Sequence, residues 1–230
     1  MLRAVFFDLD YTLYDHRQYL RGALADVARS IATECHLGDE RAYVSLLRLW
    51  ERTGTDYGFL FNDWLEELQL FSPALVKRCV TVFHAHQPKD LRPYPGADRT
   101  LSYLGNKYTV GLITDGDVTM QATKLRALHL DERFDLIVYA DALSLTKPDP
   151  RVFRHALGQA GVSPAEATHV GDHPVKDIVG ARRAGLAAVR VMTGEFSNLA
   201  DSSEYPPTVQ LLSIGELPDV IESGNPSNHT

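Results

Sequence analysis

Ala4-Val5-Phe6-Phe7-Asp8-Leu9-Asp10-Tyr11-Thr12 opens with four apolar residues and then sets two carboxylates with one residue between them. The apolar, β-prone start predicts a buried strand ending at Phe7, with Asp8 and Asp10 in the loop that leaves it. Two like charges so close to the end of a buried strand repel and are poorly solvated, so they need a cation, a proton or a dense set of donors. A divalent metal is the simplest compensation. A calcium loop starting at Asp8 would want Gly at the position of Leu13 and a bidentate Glu at that of Tyr19. A helix cap would not be preceded by a strand and followed by branched Thr12. A surface turn with two solvated aspartates is the plain alternative, and the run by itself does not decide.

Three further apolar segments end in residues suited to phosphate or metal. Val110-Gly111-Leu112-Ile113 runs into Thr114-Asp115-Gly116, and Leu136-Ile137-Val138-Tyr139 leads to Lys147-Pro148-Asp149-Pro150. Thr168-His169-Val170 leads to Gly171-Asp172, with Asp177 five residues later. In open α/β sheets ligands bind outside the carboxyl ends of parallel strands, so four polar segments of this kind converge on one crevice.

In this order the four segments resemble the haloacid dehalogenase-like hydrolase superfamily, in its phosphatase branch, from Asp8 to roughly Gly185. The resemblance implies a Rossmann-like α/β core, a doubly wound parallel sheet, with an inserted helical C1-type cap. It implies Asp8 as a nucleophile that becomes an aspartyl-phosphate, and Asp10 as the acid that protonates the leaving group and then the base that activates water. Mg²⁺ would be held by Asp8, the backbone carbonyl of Asp10, Asp172 and Asp177, the last directly or through water. Thr114, Asp115 and Lys147 would form the phosphate site, Thr114 by its hydroxyl and Lys147 as a point charge. Because Asp10 must carry a proton at the moment of transfer, its pKa is expected to be raised. Dehalogenases of the superfamily lack the acid/base at the position of Asp10, which favours a phosphatase here. A sugar phosphomutase shares these residues and stays open, as does an idle phosphate-binding or regulatory protein. Three positions depart from the usual pattern: Tyr11, whose ring could limit the pocket, Asp115 where Asn is common, and Lys176 before Asp177.

The 230 residues allow a core domain with a sizeable insertion. With 44% hydrophobic and 23% charged residues, composition is that of an ordinary globular protein. The formal charge of -7 leaves no basic footprint for a nucleic-acid polymer, while a small phosphate ester is compatible with a local metal and lysine. No apolar run suits a membrane span, and a strand beginning beside Met1 leaves no room for a cleavable leader, so a cytoplasmic protein is expected. Cys35 and Cys79 are far apart and suggest no disulfide framework; Cys79 falls on an apolar helical stripe. Asn228-His229-Thr230 fits a glycosylation sequon and reads as chance in a polar tail.

The segment from Tyr14 to Lys89 reads as helices. Leu20, Ala23, Leu24, Val27, Ala28 and Ile31 form one stripe, Val44, Leu47 and Trp50 a second, and Trp64, Leu65 and Leu68 a third. A fourth helix opens with Ser72 as N-cap and Pro73 in the first turn, and carries Leu75, Val76, Cys79, Val80 and Phe83. This gives a cap over residues 15–92 inside a core of 1–14 and 93–230, with hinges at Asp15-His16-Arg17 and the Pro-rich stretch to Gly96. In the cap, Tyr57 within Thr53–Gly58, and Tyr14 and Arg17 at the first hinge, are candidates for substrate specificity. After Gly96 strands at Thr109–Ile113, Phe134–Tyr139, His169–Val170 and Ala187–Met192 alternate with helices, the pattern of a parallel sheet.

Overall fold

The computed structural model describes residues 1–35 and 37–224, the side chains at 33 and 35 aside. The tail triplet beginning at Asn228, read as a chance sequon, and the side chain of Cys35 lie outside the described residues. In chain order the elements are β1 (Ala4–Phe7), α1 (Arg17–Ser30), α2 (Ala32–Cys35), α3 (Asp39–Thr53), α4 (Leu60–Glu67), α5 (Pro73–Ala85), α6 (Ala97–Gly105), β2 (Thr109–Thr114), α7 (Val118–Ala127), β3 (Leu136–Tyr139), α8 (Pro150–Ala160), β4 (Ala167–Gly171), α9 (Gly180–Arg183), β5 (Ala187–Val191), β6 (Val209–Leu211) and α10 (Leu217–Ser223). A π-helical turn, Pro174–Val179, runs directly into α9. Among the described residues no helix is long and apolar enough to cross a membrane.

The chain divides into two compact units, Met1–His16 together with the chain from Asp90, and Arg17–Lys89. The first unit is a six-stranded sheet in the order β3-β2-β1-β4-β5-β6, with every pair parallel. This is the doubly wound α/β class, and the strand order reverses between β1 and β4, where ligands of such sheets bind. All four residues of β1 are fully buried, as a strand covered on both faces requires. Gly111 of β2 gives room to the Phe6 ring, since a Cβ there would stand 2.7 Å from it. One core cluster joins Phe6, Ile113 and Val138 to Phe153 and Leu157 of α8 and to Ile178 and Ala181. β6 and α10 were not expected from the sequence; β6 is three residues long, too short for a period to show.

The second unit is built from α1, α3, α4 and α5. On α1 every residue of the expected stripe is buried. On α3 the expectation is corrected: Val44 is exposed and Leu47 half-buried, while Ala42, Leu46, Leu49 and Trp50 face the core. The spacing of 4, 3 and 1 residues is the helical stripe, rotated from the one the larger side chains suggested. On α5 Ser72 caps as expected, its Oγ accepting from the Leu75 N–H at 3.2 Å, and Cys79 is buried, but Val80 is exposed. Trp64 of α4 is fully buried and its indole N–H donates to the Ser45 hydroxyl at 2.8 Å. Because Trp64 carries both packing and this bond, Trp64→Ala is expected to lower the unfolding free energy by about 3–5 kcal/mol. Urea denaturation reads this, and a change in midpoint too small to resolve would contradict the packing described.

Candidate active site

The register Phe7↔Val170 sets the ends of β1 and β4 side by side, and Asp8 N–H donates to the Val170 carbonyl at 2.9 Å. Asp8 and Asp172 therefore leave adjacent strands at the point where strand order reverses. Asp177 returns from the π-helical turn, and its carboxylate packs against the bare Cα of Gly171, where a Cβ would lie 2.3 Å from the Asp177 carboxyl carbon. These three buried carboxylates offer ligand oxygens within 4.8 Å of one another.

Lys147 is 4% exposed and its Nζ donates to Asp8 Oδ1 at 2.6 Å, to Asp177 Oδ1 at 2.7 Å and to the Ile113 carbonyl at 3.3 Å. Asp177 is further held by His169 Nε2 at 3.1 Å and by the His173 N–H at 3.1 Å. Thr12 Oγ lies 3.3 Å from Asp8 Oδ2 and 3.2 Å from Asp172 Oδ1, and its single proton serves one of them at a time. Asp172 Oδ2 is buried and has no hydrogen-bond partner. One ammonium against three carboxylates is an incomplete balance, and the pKa directions follow. Burial, with Asp177 and Asp10 adding to it and Lys147 opposing it, pushes Asp8 up to about 7. Burial and then Asp177 and Asp8 hold Asp172 well above the ordinary carboxylate range. For Asp177 the burial penalty is outweighed by Lys147 and His169, and its pKa is lowered. An unpartnered carboxylate oxygen within an all-oxygen group is what a hard divalent cation would complete, so the residues present fit such an ion. The Asp10 side chain is not part of this group; the expectation for Asp10 concerned its backbone carbonyl.

Asp10 sits in a different environment. Its Oδ1 accepts from the Tyr14 hydroxyl at 2.6 Å and lies 2.9 Å from His16 Nδ1, and Lys124 Nζ reaches Oδ1 at 3.1 Å and Oδ2 at 2.9 Å. Gln121 Nε2 donates to Oδ2 at 3.1 Å. The expected raised pKa is therefore corrected. Burial raises it, but His16, Lys124 and the bonds from His16 and Tyr14 together outweigh burial and hold Asp10 well below the usual carboxylate range. At Lys124 and His16 burial outweighs the attraction of Asp10, and both are lowered.

Thr114, the last residue of β2, is 1% exposed, and its Oγ accepts from Gln121 Nε2 at 2.5 Å. Asp115 uses Oδ1 to accept from the Lys147 backbone N–H at 3.0 Å, while its buried Oδ2 has no partner. Its carboxylate thus ties the Lys147 loop to the end of β2. Tyr14 is fully buried, with its hydroxyl turned to Asp10 and His16. Tyr11 is buried at φ 61° with its ring edge-on to His16 and Phe196, and its carbonyl accepts from Thr193 Oγ at 2.5 Å. Arg17 and Tyr57 belong to the second unit; Arg17 is exposed, and the Tyr57 hydroxyl donates to Asp63. The sequence reading missed Gln121, Lys124, His169 and Arg190. The available signal for the first two was their i,i+3 spacing on the helix that leaves the Thr114 strand end. Arg190, 1% exposed in β5, donates to the carbonyls of Asp172, Leu199 and Phe196 and pairs with Asp201 at 2.6 Å, which anchors the loop carrying Phe196 against His173.

A parallel sheet with this acidic group at its switch point defines a doubly wound α/β protein whose candidate site lies at the strand ends. Residues 5–191 match the family described as haloacid dehalogenase-like hydrolase, and the chain belongs to that family. It is 34% identical over 230 residues to the glyceraldehyde 3-phosphate phosphatase of Pyrococcus furiosus, covering 96% of this chain and 92% of that one. The N-acylneuraminate-9-phosphatase of Rattus norvegicus is 26% identical over 235 residues, covering 96% and 94%. Among solved structures, a 2-haloacid dehalogenase of Pseudomonas syringae pv. Tomato superposes with a TM-score of 0.68 at 28% identity, covering 97% and 99%.

If the acidic group takes a divalent ion, Mg²⁺ at about 100 times its Kd should raise stability by about 2.7 kcal/mol, seen as a higher melting temperature. Asp172→Asn should abolish the shift, and so should Gly171→Ala, whose methyl group would displace Asp177. An unchanged melting temperature of the wild-type protein with Mg²⁺ or Mn²⁺ would contradict the site.

Proposed function

We propose that the chain is a Mg²⁺-dependent phosphomonoesterase acting on a small phosphorylated metabolite in the cytoplasm. The observation that carries this is the pairing of two differently equipped carboxylates two residues apart: Asp8 on a lysine and a metal-type acidic group, Asp10 in a cage of proton donors. A triose phosphate, the substrate class named for the Pyrococcus furiosus relative, is the first candidate. The second unit, residues 17–89, would act as the cap that selects among esters, with Arg17 and Tyr57 as candidate contacts.

In this reading an oxygen of Asp8 forms a bond to phosphorus as the ester P–O bond breaks, and the departing alcohol oxygen takes a proton from Asp10. Water then attacks the phosphorus of the aspartyl-phosphate and gives its proton to Asp10, the Asp8–phosphorus bond breaks, and inorganic phosphate leaves. The resting protein holds Asp10 ionised, the form the second step needs; the proton for the first step is taken up with the ester. Lys147 fixes Asp8 and offers positive charge to the phosphoryl oxygens, and Thr114 offers them its hydroxyl proton. Asp8, Asp172 and Asp177, with the Asp10 carbonyl, would hold Mg²⁺, which when bound supplies charge neutralisation at the phosphoryl oxygens. Asp10 also favours phosphatase over dehalogenase chemistry, because hydrolysis of an alkyl phosphate needs a proton for its leaving group.

The test is phosphate release from a panel of metabolite phosphates, with Mg²⁺ or with chelator. Metal-dependent turnover is expected in the wild type and none in Asp8→Asn, while Asp10→Asn should lose about 10²–10⁴-fold in kcat. Turnover that survives in Asp8→Asn would contradict the assignment.

A further inference from the structure

Burying a lysine ammonium costs several kcal/mol even when it is paired, and Lys124 is 1% exposed in the middle of a ten-residue helix where Met or Leu would pack at no such cost. One turn earlier Gln121 is fully buried as well. α7 starts at Asp117, whose Oδ1 caps the Met120 N–H at 2.9 Å, directly after the loop that follows Thr114. The helix therefore presents Gln121 and Lys124, three residues apart, on the face turned to the strand ends. We propose that Lys124 and Gln121 are positioning residues for the reaction: Lys124 fixes the Asp10 carboxylate, and Gln121 locks that carboxylate to the Thr114 hydroxyl.

Every donor around Asp10 has a defined place. Tyr14 and His16 hold Oδ1 from the loop after β1, Gln121 holds Oδ2 from α7, and Lys124 spans both oxygens, which fixes rotation about the Cβ–Cγ bond as well as position. Gln121 turns its NH₂ group to Asp10, with Nε2 donating to Oδ2 at 3.1 Å. The same nitrogen lies 2.5 Å from Thr114 Oγ, so Thr114 accepts there and its own proton points elsewhere. The Asp115 carbonyl, 3.5 Å from Oγ, is too far to hold that proton, which is left for a phosphoryl oxygen. Gln121 thus sets the direction of the Thr114 hydroxyl, and links the group that handles the proton to the group that meets the phosphate. The remaining atom, Gln121 Oε1, is buried with no partner, a cost consistent with placement for the site rather than for packing.

The catalytic part of this inference rests on the phosphomonoesterase reading; the placement of Asp10 does not. Lys124→Met, Gln121→Leu, Asp10→Asn and the double variant Asp10→Asn/Lys124→Met are compared on an alkyl phosphate and on 4-nitrophenyl phosphate. The alkoxide leaving group needs the proton of Asp10 and the nitrophenolate does not. Lys124→Met is expected to lower kcat/KM, which reports the first step alone, by about 10²-fold on the alkyl ester and by less than about tenfold on the aryl ester. In the Asp10→Asn background the same change should alter kcat/KM by less than about threefold, because its route of action is already gone. Gln121→Leu should weaken turnover of both esters through KM and kcat together, since it frees the Thr114 hydroxyl to turn to Asp10. Equal losses in kcat/KM on the two esters for Lys124→Met, or full additivity with Asp10→Asn, would overturn the proposal. Crystal structures of the wild type, Lys124→Met and Gln121→Leu provide a reading without turnover. The Asp10 carboxylate should leave its wild-type position in the first variant and the Asp10–Thr114 link should open in the second. An unmoved Asp10 in Lys124→Met, or in Gln121→Leu should the former not fold, overturns the positioning role. A wild type that hydrolyses no ester would instead defeat the phosphomonoesterase reading and leave the crystallographic comparison to decide the placement.

Discussion

The buried contact between Lys147 and the carboxylates of Asp8 and Asp177 governs the site. A single ammonium, at 2.6 and 2.7 Å from two carboxylate oxygens, has to balance a group that also contains Asp172. Coulomb attraction in a poorly solvated pocket is strong, but one positive charge cannot satisfy three negative ones. The deficit appears where the geometry leaves it, in a raised Asp8 and in the unpartnered oxygen of Asp172. A group that is stable only when something positive joins it is suited to recruit a metal ion and, beside it, a phosphate.

The parallel sheet makes this group possible. Because β1 and β4 are neighbours in register, two chain segments 160 residues apart place Thr12 between Asp8 and Asp172. β2 brings Thr114, and the loop after β3 brings Lys147, whose backbone N–H is tied back to Asp115. Asp177 depends on Gly171 having no side chain. The two carboxylates of the opening motif end in opposite electrostatic conditions: Asp8 faces other carboxylates and is pushed up, while Asp10 faces Tyr14, His16 and Lys124 and is pushed down. These directions are the reverse of those a nucleophile and an acid need, so the proposed roles require a positive ion beside Asp8 to bring it down and proton uptake at Asp10 with the ester.

The strands were legible because each is a short apolar run that ends abruptly in polar residues, and the order of those ends fixes where they meet. The parallel doubly wound class and the family followed from that pattern. Ser72 and Pro73 were legible for a local reason, since a cap and its first turn need only neighbouring residues. Where the reading failed, the deciding contacts were distant. Val44 and Leu47 looked like core by size, but the rotation of α3 is set by its neighbours, which chose Ala42 and Leu46. Lys124 and Gln121 in a helical pattern look like solvated residues, and Arg190 looks like an interruption in a strand. The state of Asp10 was inferred from the proton it must carry in the reaction, whereas it is set by donors from residues 14, 16 and 124.

The most direct measurement is a rapid acid quench during turnover of an alkyl phosphate, followed by mass spectrometry of the peptide that carries Asp8. The account predicts the added mass of one phosphoryl group on Asp8, present in wild type, accumulating in Asp10→Asn when 4-nitrophenyl phosphate, whose leaving group needs no proton, is the ester and the second step lacks its base, and absent in Asp8→Asn. Steady phosphate release with an unmodified Asp8 at every time point, in both wild type and Asp10→Asn, would contradict it.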